Sequence, residues 1–367
     1  MIKVLSVVGA RPNFIKIAPL HREFLKYSGV KNYMCHTGQH FDDKMSKVFF
    51  DELKMPRPDF WLGVGGGSHA IQTAGIITGF EKVVTELKPD LVVVLGDVNS
   101  TMSAALVASK AGIPIAHIES GLRSNDRTMP EEINRMVTDV LSDYLFVSEK
   151  SGIENLRKEG ISEDKIFFVG NIMIDSLVEH LPDIEKSEII SHLGIAGKKY
   201  CLCTFHRPSN VDSADRLKSL TGLLNELSEK LPVVFPVHPR TRQTLERTGG
   251  GMHANSNLIF TEPLGYLDFL HLVKNAELII TDSGGIQAEA TFLQVQCITA
   301  RDNTESMATV DIGTNQLIGT DVEKNKKAAF DIISGNKKQG HIPELWDGRT
   351  AERIVGILSE RYGFQLR

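Results

Sequence analysis

The chain has 367 residues, 41% of them hydrophobic, which suffices for about two domain cores at roughly 150 residues each. Its 41 basic and 46 acidic residues leave a net charge of −5, with no basic surplus to attract nucleic acid. Four cysteines (Cys35, Cys201, Cys203, Cys297) lack CxxC spacing, which argues against a zinc site or a disulfide framework and for reduced core residues.

The first segment, "MIKVLSVVGARPNFIK", carries an apolar run about half as long as a secretion signal needs, followed by Arg11 and Lys16. It predicts a strand. No stretch is long enough to cross a bilayer, so a cytoplasmic protein without a membrane partner is expected. In chain order the predicted strands are "IKVLSVVG", "NYMCHTG", "DLVVVLGD", "IPIAHIES", "YLFVSE" and "IFFVGN". Helical patterns such as "PLHREFLKYS", "AIQTAGIITGFEKVVTEL", "TMSAALVASKAG" and "EEINRMVTDVLSD" separate them. A polar, helical stretch near residues 171–198 interrupts the alternation. A second series follows: "YCLCTFH", "VVFPVH", "LIFTEP", "ELIITDS" and "QCITARD", with the helix "SADRLKSLTGLLNELSEKL" among them.

Near-continuous apolar strands alternating with helices indicate parallel sheets covered on both faces. The expected fold is α/β: two doubly wound, Rossmann-like domains facing a central cleft. The first spans 1–171 and the second 172–349. The last helix, "RTAERIVGILSERYG" within 350–367, is expected to pack back on the first domain.

Ligands of open parallel sheets bind outside the carboxyl ends of the strands. Reactive side chains collect at those ends here. They are Arg11, Lys16, Gln39, His40, Asp97 and Glu119 in the first half, and His206, His238, Glu262, Ser283 and Arg301 in the second. In "TDSGGIQAEA" a strand runs into the start of a helix, where unpaired N–H groups and a partial positive charge make an anion site. Gly284 and Gly285 let backbone approach a phosphate or diphosphate, and Ser283 adds a hydroxyl. Glu289 lies too deep to cap the helix and can accept from two vicinal hydroxyls, as a ribose offers. In "GARPNFIK", Arg11 and Lys16 bring two cations that can neutralise a departing diphosphate. Asp97, Glu119, Glu131, Glu132 and His206 form a third group, suited to proton transfer. Glu132, which follows Pro130 at a helix start, can equally serve the helix dipole, and Asp97 can equally brace its loop.

The motifs "GARPNFIK", "TGQH", "GDVNST", "HIESGLRS", "MPEEINR", "FHRPSN", "HPRT" and "TDSGGIQAEA" through "RDNTE" resemble, in order, those of the non-hydrolysing UDP-N-acetylglucosamine 2-epimerases. The likeness spans nearly the whole chain. It implies the two-Rossmann-domain architecture of the glycosyltransferase-B class. It also implies interconversion of UDP-GlcNAc and UDP-ManNAc through elimination of UDP, a 2-acetamidoglucal and re-addition. On matching motifs, Asp97, Glu119, Glu131 and His206 fall on catalytic positions. Arg11, Lys16, His238, Ser283, Gly284 and Gly285 fall on substrate contacts, Glu289 on the ribose ligand and Phe269 on the aromatic against the uracil. The route needs neither metal nor nicotinamide, and relatives are commonly dimers.

Several positions depart from the family pattern. The usual "HRREN" is "HRPSN", so Pro208 removes an arginine; "TERPE" is "TESMA", so Ser306 removes another. Leu264 stands where a polar uracil contact is common. Ser68 replaces a basic residue that helps bacterial members hold a second, activating UDP-GlcNAc, which argues against such activation. "TGQHFD" and "VGGGSH" are closer to members acting on relatives of UDP-GlcNAc, including UDP-2,3-diacetamido-glucuronate. A hydrolysing relative that releases free N-acetylmannosamine, and a UDP-sugar glycosyltransferase, are the remaining alternatives. A nicotinamide dehydrogenase is disfavoured because no GxGxxG follows a strand.

Overall fold

The computed structural model describes residues 1–38, 52–211, 213–237, 241–242, 244–245 and 255–367. Gln39, His40 and His238 lie outside these residues.

The first unit is built on strands β1 (Ile2–Val8), β2 (Tyr27–Ser28), β3 (Val30–His36), β4 (Phe60–Trp61), β5 (Leu91–Leu95), β6 (Ile115–Ser120), β7 (Tyr144–Val147) and β8 (Ile166–Phe168). All but β2 form one sheet in the order β4-β3-β1-β5-β6-β7-β8, with parallel pairing throughout. The helices are α1 (Arg11–Leu25), α2 (His69–Leu87), α3 (Asn99–Lys110), α4 (Pro130–Leu141), α5 (Lys150–Lys158) and α6 (Ile172–Ile184). Strand residues alternate between the faces of a sheet. Leu5 and Val7 of β1 and Val92 and Val94 of β5 therefore share one face, packed with Phe80 of α2 and Ala104 and Ala108 of α3.

The second unit repeats the plan. Strands β9 (Cys201–Thr204), β10 (Val233–Pro236), β11 (Leu258–Thr261), β12 (Leu278–Thr281), β13 (Gln296–Thr299) and β14 (Asn315–Leu317) form a parallel sheet in the order β11-β10-β9-β12-β13-β14. Its helices are α7 (Ile189–His192), α8 (Pro208–Val211), α9 (Ala214–Ser228), α10 (Tyr266–Asn275), α11 (Gly284–Phe292), α12 (Met307–Asp311) and α13 (Val322–Ile333). Cys201 and Cys203 pack on one face with Leu217, Leu220 and Leu224 of α9. Tyr200 and Leu202 pack on the other with α10 and α11. All four cysteines are free and buried.

The chain then returns. Helix α14 (Thr350–Tyr362) packs on α1, and strand β15 (Gln365–Leu366) pairs antiparallel with β2. The two units comprise residues 1–179 with 344–367, and residues 180–343. The division thus differs from 171/172 and 349/350, for a physical reason. The first turns of α6 are tied into the first unit, where Ser176 Oγ donates to the Ile15 carbonyl. Asp175 accepts from the backbone N–H groups of Thr350 (3.1 Å) and Ala351 (2.7 Å), capping α14 from another helix. Trp346 Nε1 adds a hydrogen bond to the Ser148 carbonyl at 2.9 Å.

Each sheet reverses its strand order at one point, between β1 and β5 in the first and between β9 and β12 in the second. Crevices at such switch points are the binding positions of doubly wound folds. At the end of β1, Gly9 leaves no room for a side chain: a Cβ there would lie 2.0 Å from Ser100 Oγ and 2.7 Å from Thr37 Oγ1. Asn13 Oδ1 meanwhile accepts from the N–H groups of Gly9 (3.1 Å) and Ala10 (3.0 Å), pinning the turn into α1. Gly9→Ala should cost about 1–3 kcal/mol by overpacking. The measurement is urea unfolding, with a lower midpoint at unchanged slope expected; an unchanged midpoint would mean that the backbone around Ser100 and Thr37 shifts to admit the methyl group.

Candidate active site

In the first unit, the carboxyl ends of β1, β5 and β6 meet at the switch point. Lys16, on the second turn of α1, is nearly buried and forms an ion pair with Glu119 of β6. Glu119 has φ of 69°, a left-handed conformation that glutamate adopts at a cost, and the pairing of β6 with β7 slips between Ile118 and Ser120. This irregularity re-aims the carboxylate at the strand mouth. Gly96 makes room for the pair: a Cβ there would stand 3.2 Å from Lys16 Nζ and 3.5 Å from Glu119 Oε2.

Asp97 follows Gly96 directly. Its carboxylate is bound by Arg135 Nη2 at 2.6 Å, while Arg135 Nη1 binds Glu132 at 2.7 Å. Glu132 also accepts from Ser124 N (2.9 Å), Ser124 Oγ (3.0 Å) and Asn125 N (2.9 Å). Glu132 is therefore a buried brace, and Asp97 keeps one side exposed. Asn134 Nδ2 holds the Asp97 carbonyl at 2.8 Å, so α4 fixes both ends of that residue. Glu131 is half-buried in the first turn of α4. Arg11 is the first residue of α1. Lys16 thus meets a carboxylate of the same site rather than standing as a free cation. Arg135, absent from the candidates above, is legible only through its spacing of three from Glu132 and its place in "MPEEINR".

In the second unit, β9 and β12 flank the switch point. His206, after β9, lies 2.6 Å through Nδ1 from Asp282, after β12. Asp282 is fully buried and also accepts from His206 N (3.1 Å), Arg207 N (3.0 Å) and Asn210 Nδ2 (2.9 Å). Burial alone would raise its carboxyl, but the His206 ring and these donors outweigh that and hold it below the usual range. His206 thus has one ring nitrogen fixed and an exposed side chain.

Ser283 is the N-cap of α11 and spends no side-chain hydrogen bond on capping. Gly284 opens the helix where a Cβ would lie 2.5 Å from Glu305 Oε1. Glu305 is clamped by Arg301 at 2.8 Å. Glu289, a turn and a half in, is buried, and desolvation pushes its carboxyl up to about 8. Phe269 and Leu264 are half-buried against the same core cluster as Ile286 of α11. Ser306 is buried and turns its carbonyl into α12, accepting from Thr309 Oγ1 at 2.7 Å. Asp282 and Glu305 were missed by sequence reasoning, since their partners come from other strands or depend on loop geometry.

The chain resembles known proteins over nearly its whole length. The profile of the UDP-N-acetylglucosamine 2-epimerases matches residues 22–359. The chain belongs to that family. It is 43% identical to the UDP-N-acetylglucosamine 2-epimerase of Methanocaldococcus jannaschii over 97% of this chain and 99% of the relative. The crystal structure of that enzyme, in complex with UDP-GlcNAc and UDP, matches with a TM-score of 0.90, covering 98% of this chain and 100% of its own. A UDP-2,3-diacetamido-2,3-dideoxy-D-glucuronate 2-epimerase of Pseudomonas aeruginosa is 41% identical over 86% of this chain and 88% of its own. As a member of this family the chain is a nucleotide-sugar 2-epimerase, an isomerase with two Rossmann-like units of the glycosyltransferase-B class. Among the described residues, no helix is long and apolar enough to cross a membrane.

Burial of Glu289 in this epimerase has a consequence for stability. A carboxyl held near 8 when folded, against 4.5 ordinarily, favours the protonated form. Its contribution to folding is complete below the ordinary value and is lost as pH rises through 8. The melting temperature should therefore fall between pH 6 and 9, and fall less in Glu289→Gln. Equal pH dependence of the two proteins would show that Glu289 is ionised in the fold.

Proposed function

We propose that this protein interconverts UDP-GlcNAc and UDP-ManNAc by eliminating UDP and adding it back. The observation that carries the reading is Glu119: a carboxylate at positive φ on a strand bulge, bound to Lys16 and adjoining the Asp97–Arg135 pair. A strained carboxylate beside a second, held carboxylate suits proton transfer.

The C2 hydrogen of a sugar is poorly acidic, so base strength alone is inadequate. A carboxylate of the first unit removes the C2 proton, the C1=C2 bond forms, and the C1–O bond breaks with its electron pair leaving on the diphosphate. The start of α11, with Ser283, Gly284 and Gly285, receives that charge, and Arg11 and Lys16 assist it. Glu289 takes the ribose hydroxyls and Phe269 the uracil. His206, oriented by Asp282, moves a proton at the leaving oxygen. Re-addition of UDP after protonation on the opposite face of C2 gives the epimer. His238 and Glu131 belong to the same set of substrate contacts and catalytic groups. Neither a metal nor a nicotinamide takes part, and the reaction fits the cytoplasm, where nucleotide sugars are made for surface polysaccharides.

The second reading is epimerisation of UDP-2,3-diacetamido-glucuronate, favoured by the likeness to the Pseudomonas aeruginosa enzyme and by the motifs "TGQHFD" and "VGGGSH". Incubation with each nucleotide sugar in D2O, followed by proton NMR, separates the two. Deuterium at C2 and growth of the manno epimer are expected with UDP-GlcNAc; exchange confined to the glucuronate would transfer the assignment. Asp97→Asn and Glu119→Gln should each reduce turnover by a factor on the order of 10² or more. Unchanged turnover in either would remove that residue from the chemistry.

A homodimer is the proposed assembly. Ile133 and Val140 lie seven residues apart on one face of α4 and are exposed, which suits a helix–helix interface. Ile133→Asp with Val140→Asp should convert a dimer to a monomer in sedimentation velocity. A dimer that survives both changes would move the interface elsewhere.

A further inference from the structure

Behind the two carboxylates of the first unit runs a buried chain of charge that the proposed reaction does not use. His117, two residues before Glu119 on β6, has no exposed surface, and neither does Asp139 of α4. His117 Nδ1 lies 2.6 Å from Asp139 Oδ1, and Nε2 lies 2.8 Å from the Gly96 carbonyl. That carbonyl can only accept, so Nε2 carries a hydrogen. The other oxygen, Asp139 Oδ2, accepts from the Gly121 N–H at 3.0 Å and from Arg123 at 2.7 Å. Arg123 in turn grips Glu159 with two hydrogen bonds of 2.8 and 2.7 Å. Burial would raise the Asp139 carboxyl; His117 and Arg123 outweigh it and keep the group below the usual range, hence ionised.

We infer that His117 and Asp139 are positioning residues that set the backbone beneath Asp97 and Glu119. Gly96 immediately precedes Asp97, and Gly121 closes the bulge that carries Glu119. One histidine–aspartate couple therefore binds the carbonyl on one side and the N–H on the other. The bulge has little freedom otherwise: Gly121 has φ of 77°, and a Cβ there would lie 2.4 Å from the Gly152 carbonyl oxygen. Glu119 itself is held at φ 69°. A left-handed residue persists only where its surroundings over-determine it, and the Asp139 bond to Gly121 is one such constraint. Displacement of catalytic groups by an ångström is enough to lose much of the rate.

The inference rests on Asp97 and Glu119 acting as proposed, and the test separates the two. His117→Asn retains an amide that can reach Asp139 but not Gly96, whereas the longer His117→Gln can reach the Gly96 carbonyl. Turnover of UDP-GlcNAc in His117→Asn should fall on the order of 10- to 10²-fold with KM little changed, and His117→Gln should recover part of the loss. Amide hydrogen exchange at Asp97 and Glu119 should accelerate roughly five- to tenfold in His117→Asn, the factor for one lost buried hydrogen bond. If His117→Asn does not fold, Asp139→Asn, which preserves volume, carries the same measurements. A folded variant with a lower melting temperature but unaltered turnover and unaltered exchange at these two amides overturns the inference. Wild-type protein that moves no C2 proton would sink the epimerase reading, and the amide exchange would still decide the positioning role.

Discussion

A parallel strand that must deliver a carboxylate at its mouth cannot do so with regular geometry alone, because successive side chains point to opposite faces. Glu119 meets the demand by leaving the β region, at φ 69°, where β6 and β7 slip register. The conformation costs energy, on the order of 1–3 kcal/mol for a residue of this kind. What surrounds it makes the cost tolerable: the ammonium of Lys16 binds the carboxylate, Gly96 vacates the space, and Gly121 supplies the next left-handed residue. The glycine at 96 is thus tied to the position of Glu119, while Gly121 is required by its left-handed φ and by the close Gly152 backbone.

The second unit solves a different problem with the same topology. Among its described residues no acid is held at positive φ, and it has a helix start and a histidine to be held. The histidine is organised by Asp282, which binds the loop after β9 through two backbone N–H groups, an asparagine amide and the His206 ring. The β9–β12 switch point is closed by these bonds across it, so the position of His206 follows from the register of two adjacent strands.

Much of this was legible in the sequence. Parallel-strand order places loops at the carboxyl ends of strands, and the structure puts Asp97, His206 and Ser283 just after strands and Glu119 near the end of one, as that rule expects. The character of Asp282 was not legible: it reads as part of a tight turn, and its partner His206 is 76 residues away. Glu132 could serve either the helix start or the chemistry on sequence grounds, and four hydrogen bonds from a loop and an arginine decide for bracing. The short strands β4 and β14, of two and three residues, carry too little periodicity to be seen. The domain division falls at 179/180 because α6 is a continuous helix that runs from one unit into the other, with Asp175 and Ser176 on its first turns anchored to the first unit.

The start of α11, the positive end of its dipole, is ringed by carboxylates. Asp282, Glu289 and Glu305 all lie on or beside it. Each is neutralised by a different means. Asp282 is matched by the His206 ring and by N–H donors. Glu305 is matched by the Arg301 guanidinium four residues earlier. Glu289 is kept protonated by burial, which pushes its carboxyl up to about 8. The positive end of the helix dipole is therefore not cancelled by its own acidic neighbours, and an arriving anion finds it intact. The burial of Glu289 thus removes one negative charge from the surroundings of the helix start.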